Sequence, residues 1–294
     1  MAYKRMLYEK VDPDVVKITM NRPEKRNAED PLMLDEMQEC FIEADLDEEV
    51  RVIIFAGAGK DFSAGHDMSG DQPGTQRALA REGTIMRRFM DTKLTGMEMR
   101  IRNEDHHFRY QAYYMRNVSK PTIAMVQGNC LAGGWMNASM CDLIIASEDA
   151  KFGDPVVRMT PAGLELLFHP YDVGFRKAKE MLWTGDPITA QEGKELGMVS
   201  QVVPREQLEE ATLDLARRIA MNQPVAVSLV KRSINHAWDL MGQREAMEYH
   251  FLIHHLSHSS DESLKWRDDR AKALEKGGVK EFLKTRDGSF KKGG

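Results

Sequence analysis

An α/β fold with sheets covered by helices is expected for this chain, and three observations predict it. Short, nearly continuous apolar runs recur through the first two thirds of the sequence. Amphipathic stretches with helix-start signals alternate with them. Beyond Arg205 the β signal fades and helical periodicity takes over. The elements follow in order. Val15 to Met20 is β-rich and runs into a turn at Asn21-Arg22-Pro23. Asp30 precedes Pro31 and the amphipathic run Leu32 to Phe41, and an acidic cap followed by proline is a helix start. Val50 to Phe55 is the next strand, stopped by Gly57 and Gly59. Pro121 to Val126 follows, stopped by Gly128, and then Leu143 to Ala146. Glu206 to Met221 and Val225 to Leu240 read as helices, the second begun after Pro224.

Between these elements Ser69 to Asn117 is long, charged and rich in Met and Arg, with helical pieces at Thr84 to Met90 and Phe108 to Arg116. A segment of that kind is either a lid or pocket wall beside a site or a surface excursion. A division near Val203-Pro204 separates residues 1–204 from a helical region, 205–294. No internal repeat is evident.

Composition narrows the function classes. The 294 residues are 42% hydrophobic, ample for a buried core. Lys and Arg total 41 against 46 Asp and Glu, a net charge of -5, which argues against a general nucleic-acid binder. Local basic groups remain available for the phosphates of a nucleotide. Cys40, Cys130 and Cys141 form no Cys-x-x-Cys pair, so neither a disulfide framework nor a zinc cluster is expected, and a reducing compartment fits. The polar N-terminus and the lack of a long apolar run predict a soluble, cytoplasmic protein without a membrane partner.

Two small-residue turns carry the chemistry. Asp61-Phe62-Ser63-Ala64-Gly65-His66-Asp67-Met68 follows one strand, and Gln127-Gly128-Asn129-Cys130-Leu131-Ala132-Gly133-Gly134-Trp135 follows another. Small residues let the backbone approach a ligand closely. Two main-chain N–H groups, from His66 and Gly133, are the expected donors to one developing oxyanion. Removing one such donor typically costs about 3 kcal/mol of barrier stabilisation. A helix starting near Gly134 would reinforce the anion site. Taken singly, either turn is ordinary punctuation. Gly57-Ala58-Gly59-Lys60 lacks the spacing and the Ser/Thr of a phosphate loop, and Phe62 stands where a dinucleotide fingerprint needs its third glycine.

Together the two turns resemble the halves of the oxyanion hole in the enoyl-CoA hydratase/isomerase (crotonase) superfamily. Asn21-Arg22-Pro23-Glu24-Lys25-Arg26-Asn27-Ala28, Leu182-Trp183-Thr184-Gly185-Asp186 and Phe282 to Phe290 match its other motifs in register. The resemblance implies a ββα spiral core with a C-terminal helical trimerisation region, assembling as homotrimers or dimers of trimers. It implies an acyl-CoA substrate, with coenzyme A arriving as part of the thioester and no permanent cofactor or metal. Ala64, His66, Asp67 and Met68, with Lys25 nearby, should hold the adenine and pantetheine end of CoA. In the hydratases the second turn continues to one glutamate, and another follows a downstream Phe-Gly-x-Pro. Here those positions hold Met136 and Val156, which cannot move protons.

Three other residues are candidates for that work. His66 puts an imidazole on the oxyanion turn; the alternative is a local hydrogen bond. Asp154, two residues before Val156, would face the same side if the chain is extended; the alternative is a loop role. Glu165 lies in a later loop from which several superfamily members draw an acid; the alternative is a surface helix start. Asp67 is expected to fix its turn, and Trp135 to pack in the core or to narrow the acyl pocket. His250, His254 and His258 share one helix face with His255 nearby; packing or a pH-sensitive subunit contact is expected, since the resemblance places this helix in the assembly region rather than the pocket, and the alternative is a metal site. The expected activity is nominally enoyl-CoA hydration with non-standard acid and base. Decarboxylation, isomerisation, C–C hydrolysis or silent acyl-CoA binding are the alternatives.

Overall fold

A computed structural model describes residues 3–68, 93–159 and 162–290. The helical piece expected at Thr84 to Met90 lies outside the described residues. Among them the main sheet has six strands: β1 (Met6–Asp12), β2 (Val15–Met20), β3 (Val52–Gly57), β4 (Thr122–Val126), β6 (Leu143–Ser147) and β9 (Gln201–Val203), side by side in that order. β1 pairs antiparallel with β2, and every later pairing is parallel. All six residues of β3 are buried, as a central parallel strand between two helical layers requires. A small second sheet joins β5 (Asn129–Leu131), β7 (Lys151–Gly153) and β8 (Ile188–Thr189).

The helices cover both faces. α1 (Pro31–Leu46) starts as expected: Asp30 Oδ1 accepts the Met33 N–H at 2.9 Å with Pro31 in the first turn. Its Met33, Met37 and Phe41 join the larger core with Ile18, Phe55 and Trp135. The opposite face of the sheet is sealed by α8 (Leu208–Ala220), the helix just beyond the expected division near 204. Leu208, Thr212, Ala216 and Ala220, four apart, form its buried stripe.

The charged middle segment ends in α2 (Gly96–Glu104), a π-helical turn at Asp105–Tyr110 and α3 (Gln111–Asn117). Helix is found where Phe108 to Arg116 predicted it, but its first turn is widened. Such π turns often sit at functional sites. α4 (Gly133–Ser139) follows the second glycine turn. Then come α5 (His169–Val173), α6 (Phe175–Thr184) and α7 (Ala190–Glu195). The C-terminal region comprises α9 (Pro224–Leu240), α10 (Gln243–Ser257) and α11 (Asp261–Asp287). Among the described residues no helix is long and apolar enough to cross a membrane.

Candidate active site

The first turn is held by Asn27. Its side chain donates to the carbonyls of Ala58, Asp61 and Phe62 and accepts the Arg22 N–H. Asp61 Oδ1 reaches across to Asn129, accepting its main-chain and side-chain N–H groups. Ser63 N–H donates to Asn129 O, and Leu131 N–H donates to Ser63 O. These bonds knit the loop after β3 to β5, which leads into the second turn.

The two turns therefore touch. Gly65 has φ +82°, and a Cβ there would come within 3.1 Å of the Gly133 nitrogen and 2.8 Å of Leu131 O. Ala132 has φ 49° and ψ -121°, an unfavourable conformation for a residue with a side chain, which aims the chain into α4. Among the described residues neither the His66 N–H nor the Gly133 N–H donates to a carbonyl outside regular structure. α4 itself is only seven residues long.

A Cβ on Gly133 would lie 2.5 Å from His66 Nε2 and 2.6 Å from Glu29 Oε2, so imidazole and carboxyl converge on this glycine. The His66 ring stacks on Phe108 of the π turn, with centroids 4.0 Å apart. Its Nε2 is 3.7 Å from Glu29 Oε2 and its Nδ1 is 3.7 Å from Glu165 Oε1. Both separations exceed a hydrogen bond but lie within ion-pair range. The His66 side chain is 24% exposed while those of Glu29 and Glu165 are 0% and 7% exposed, so the imidazole alone of the three faces outward.

Glu29 is the residue that sequence reasoning missed. Burial raises its pKa, opposed by His66, Ser63 and Asn137 and reinforced by the Glu165 charge. Its hydrogen bonds agree with a neutral carboxyl. Ser63 Oγ lies 3.0 Å from both Asn27 O and Glu29 Oε1, and it accepts the Gly65 N–H. A hydroxyl has one proton, and a carbonyl can only accept. If Ser63 donates to Asn27 O, Glu29 must be the donor to Ser63. Glu29 Oε2 has no hydrogen-bond partner. A signal was present: Asp30 takes the helix-cap role, which leaves the adjacent Glu29 with no local task.

The other expected residues fall as follows. Glu165 is buried and reaches His66, not a surface helix start. Asp154 does not face its site by strand alternation, because Pro155–Met159 forms a 3-10 helix. Its carboxylate accepts the N–H groups of Val156 at 3.0 Å and Leu164 at 3.3 Å, with His169 Nε2 at 3.4 Å, and so ties down the loop before Glu165. Asp67 pairs with Arg22. Lys25 is exposed in a short turn whose neighbour Arg26 accepts the Ala64 N–H at 2.9 Å, and Met68 O accepts from Arg270 of α11 at 3.2 Å. Trp135 packs in the core edge-on to Phe168 and His169. Met136 and Val156 are buried among apolar side chains. Of the roles expected for the histidine face of α10, packing is the one seen. The face turns inward within the chain, where the His254 Nδ1–H donates to Gly163 O and His250 Nε2 lies 2.9 Å from Leu164 O. Helix and loop meet there because the chain folds α10 back onto the Glu165 segment, a contact no local pattern announces.

The family model for enoyl-CoA hydratase/isomerase matches residues 11–95 and 90–293. The chain belongs to the enoyl-CoA hydratase/isomerase family. One relative of this family member, from Mycobacterium tuberculosis, bears the name "Putative enoyl-CoA hydratase EchA13". It is 40% identical over 259 residues, 87% of this chain and 81% of that one. The hydroxycinnamoyl-CoA hydratase-lyase of Pseudomonas fluorescens is 29% identical over 232 residues, 78% of each chain. The solved enoyl-CoA hydratase/isomerase of Xanthobacter autotrophicus Py2 superposes with a TM-score of 0.83 at 30% identity, covering 99% of this chain and 100% of that one. The expected α/β crotonase fold is thus the one observed.

Proposed function

We propose that this family member hydrates an α,β-unsaturated acyl-CoA thioester, with His66 as its acid and base. The observation that carries the reading is the outward-facing imidazole at Gly133, backed by Glu29 on one nitrogen and Glu165 on the other. His66 takes a proton from water as the water oxygen bonds to the β-carbon. The double-bond electrons move onto the thioester oxygen, where the N–H groups of His66 and Gly133 receive the charge. The imidazolium then returns its proton to the α-carbon, so one water is added and the enzyme is regenerated. Glu165 steadies the transient positive charge, and Glu29 holds the ring against the turn. Asp154 acts at one remove by fixing the loop before Glu165. Ala64, Asp67, Met68 and Lys25 form the rim assigned to the CoA moiety.

Two relatives whose names include hydration of a CoA thioester, one a hydratase-lyase and one named as a putative enoyl-CoA hydratase, support this choice over isomerisation or decarboxylation. Homotrimers or dimers of trimers accord with the apolar side chains exposed on α9 and α10, among them Leu229, Ile234, Trp238 and Leu252. The test is a panel of enoyl-, malonyl-type and cyclic oxo-acyl-CoA thioesters with mass spectrometry of the products. Gain of one water on an enoyl thioester is expected. His66→Ala, which keeps the backbone donor, should lower turnover about 10²- to 10⁴-fold while CoA-thioester binding persists. Full activity in that variant refutes the role of His66. Binding without turnover on any substrate would mark a silent acyl-CoA-binding subunit.

A further inference from the structure

Beside this site lies a second group of side chains that the hydration chemistry does not use. Glu104 ends α2, while His254 and His258 stand one turn apart at the end of α10. All three are buried, and one ligand atom from each lies within 4.8 Å of the other two. His254 donates its Nδ1–H to Gly163 O at 2.9 Å, which leaves Nε2 to face Glu104 and His258. A backbone carbonyl behind a ring nitrogen is the usual way a metal-bound imidazole is oriented. From His254 Nε2 it is 3.1 Å to His258 Nε2 and 3.4 Å to Glu104 Oε2. Ligands about 2.1 Å from a tetrahedral zinc ion are about 3.4 Å apart, so both spacings are close to edges of one coordination shell.

The acidic member points the same way. Glu104 is 8% exposed, and its Oε2 accepts no hydrogen bond although His254 and His255 nitrogens stand 3.4 and 3.5 Å away. Arg100 binds the other oxygen, Oε1, at 3.0 Å and leaves Oε2 for another cation. Two imidazole nitrogens 3.1 Å apart are joined either by an N–H···N hydrogen bond from His258 to the free lone pair of His254 Nε2 or by a metal that both coordinate.

We propose that Glu104, His254 and His258 form a binding site for zinc or a similar borderline divalent cation, with solvent as a fourth ligand. Two nitrogens and one carboxylate oxygen suit zinc and cobalt better than magnesium or calcium, which prefer all-oxygen shells. Glu165 Oε1, 3.9 Å from His254 Nε2, borders the site and connects it to His66. The ion would clamp α10 onto α2 and so hold the Glu165 loop that His250 and His254 grip. The proposal stands apart from the identity of the reaction.

The experiment uses the full-length, tag-free protein after chelator treatment. Zinc is titrated against a chromophoric competitor, and cobalt(II) is added separately and followed by visible absorption. One equivalent of zinc, the visible bands of four-coordinate cobalt, and a Tm rise of about 5 °C at hundredfold excess over Kd are expected. His258→Gln should weaken binding at least tenfold, whereas His236→Gln, on the exposed face of α9, should not. X-ray absorption of the zinc-loaded wild type, which needs no variant, should show two imidazoles among four light-atom ligands. No zinc uptake at micromolar concentration, undiminished binding in a folded His258→Gln protein, or a spectrum without imidazole would overturn the site. In the first case the N–H···N hydrogen bond alone joins His258 to His254.

Discussion

Replacing Glu29 by Gln tests whether a buried neutral carboxyl stands behind His66. The amide has nearly the shape of the neutral acid, and with its N–H₂ at the Oε1 position it still donates to Ser63 Oγ, while the 3.2 Å contact that Oε1 accepts from Asn137 Nδ2 is lost. Below the ordinary glutamate pKa of about 4.3, the stability difference between wild type and variant should be constant, set by the lost Asn137 contact. Folded Glu29 holds its proton more tightly than the unfolded chain does, because burial raises its pKa. Its contribution to stability is therefore complete below the unfolded value and is lost as pH rises through the folded one. Across that window the wild type should fall behind Glu29→Gln by up to about 1.4 kcal/mol per pH unit. Above the folded value the gap should stay constant. Urea unfolding of both proteins from pH 4 to 8, compared at equal m-values, measures the difference. A stability gap that does not change with pH would show that Glu29 is not held neutral, and the hydrogen-bond assignment at Ser63 would have to be reversed.

Two further outcomes follow from the same geometry. Gly133→Ala places a methyl group against His66 Nε2 and Glu29 Oε2, at 2.5 and 2.6 Å before relaxation. Overpacking should lower stability by about 1–3 kcal/mol and displace the imidazole, so differential scanning calorimetry and turnover should both report a loss; an unchanged Tm with normal activity contradicts the close approach. Asp154→Asn turns an amide N–H₂ toward one of two buried backbone donors, at Val156 or Leu164. A loss of about 1–3 kcal/mol and faster hydrogen exchange at Leu164 are expected, and exchange identical to wild type would remove Asp154 as the anchor of that loop.

What the sequence determined by itself was local. Apolar runs such as Val15 to Met20 became strands, and the run begun at Val50 became the strand Val52–Gly57, because a short continuous apolar run is buried by contacts acting over a few residues. Asp30-Pro31 started α1 because capping needs only the next three residues. The paired glycine turns were readable for a similar reason: close backbone approach demands small residues wherever the chain goes. The tertiary structure alone decided which side chains meet there. Glu29, His66 and Glu165 converge from three separate stretches only after the sheet orders its strands and the loops fold over its end. Strand alternation suggested a site-facing Asp154, but proline started a 3-10 turn and two backbone N–H groups claimed its carboxylate. The α10 histidines shared a helix face in the sequence, yet that periodicity is the same whether the face meets a partner or its own chain. The packing of α10 against the Gly163–Glu165 loop chose between them, because burial depends on contacts between distant segments and periodicity does not.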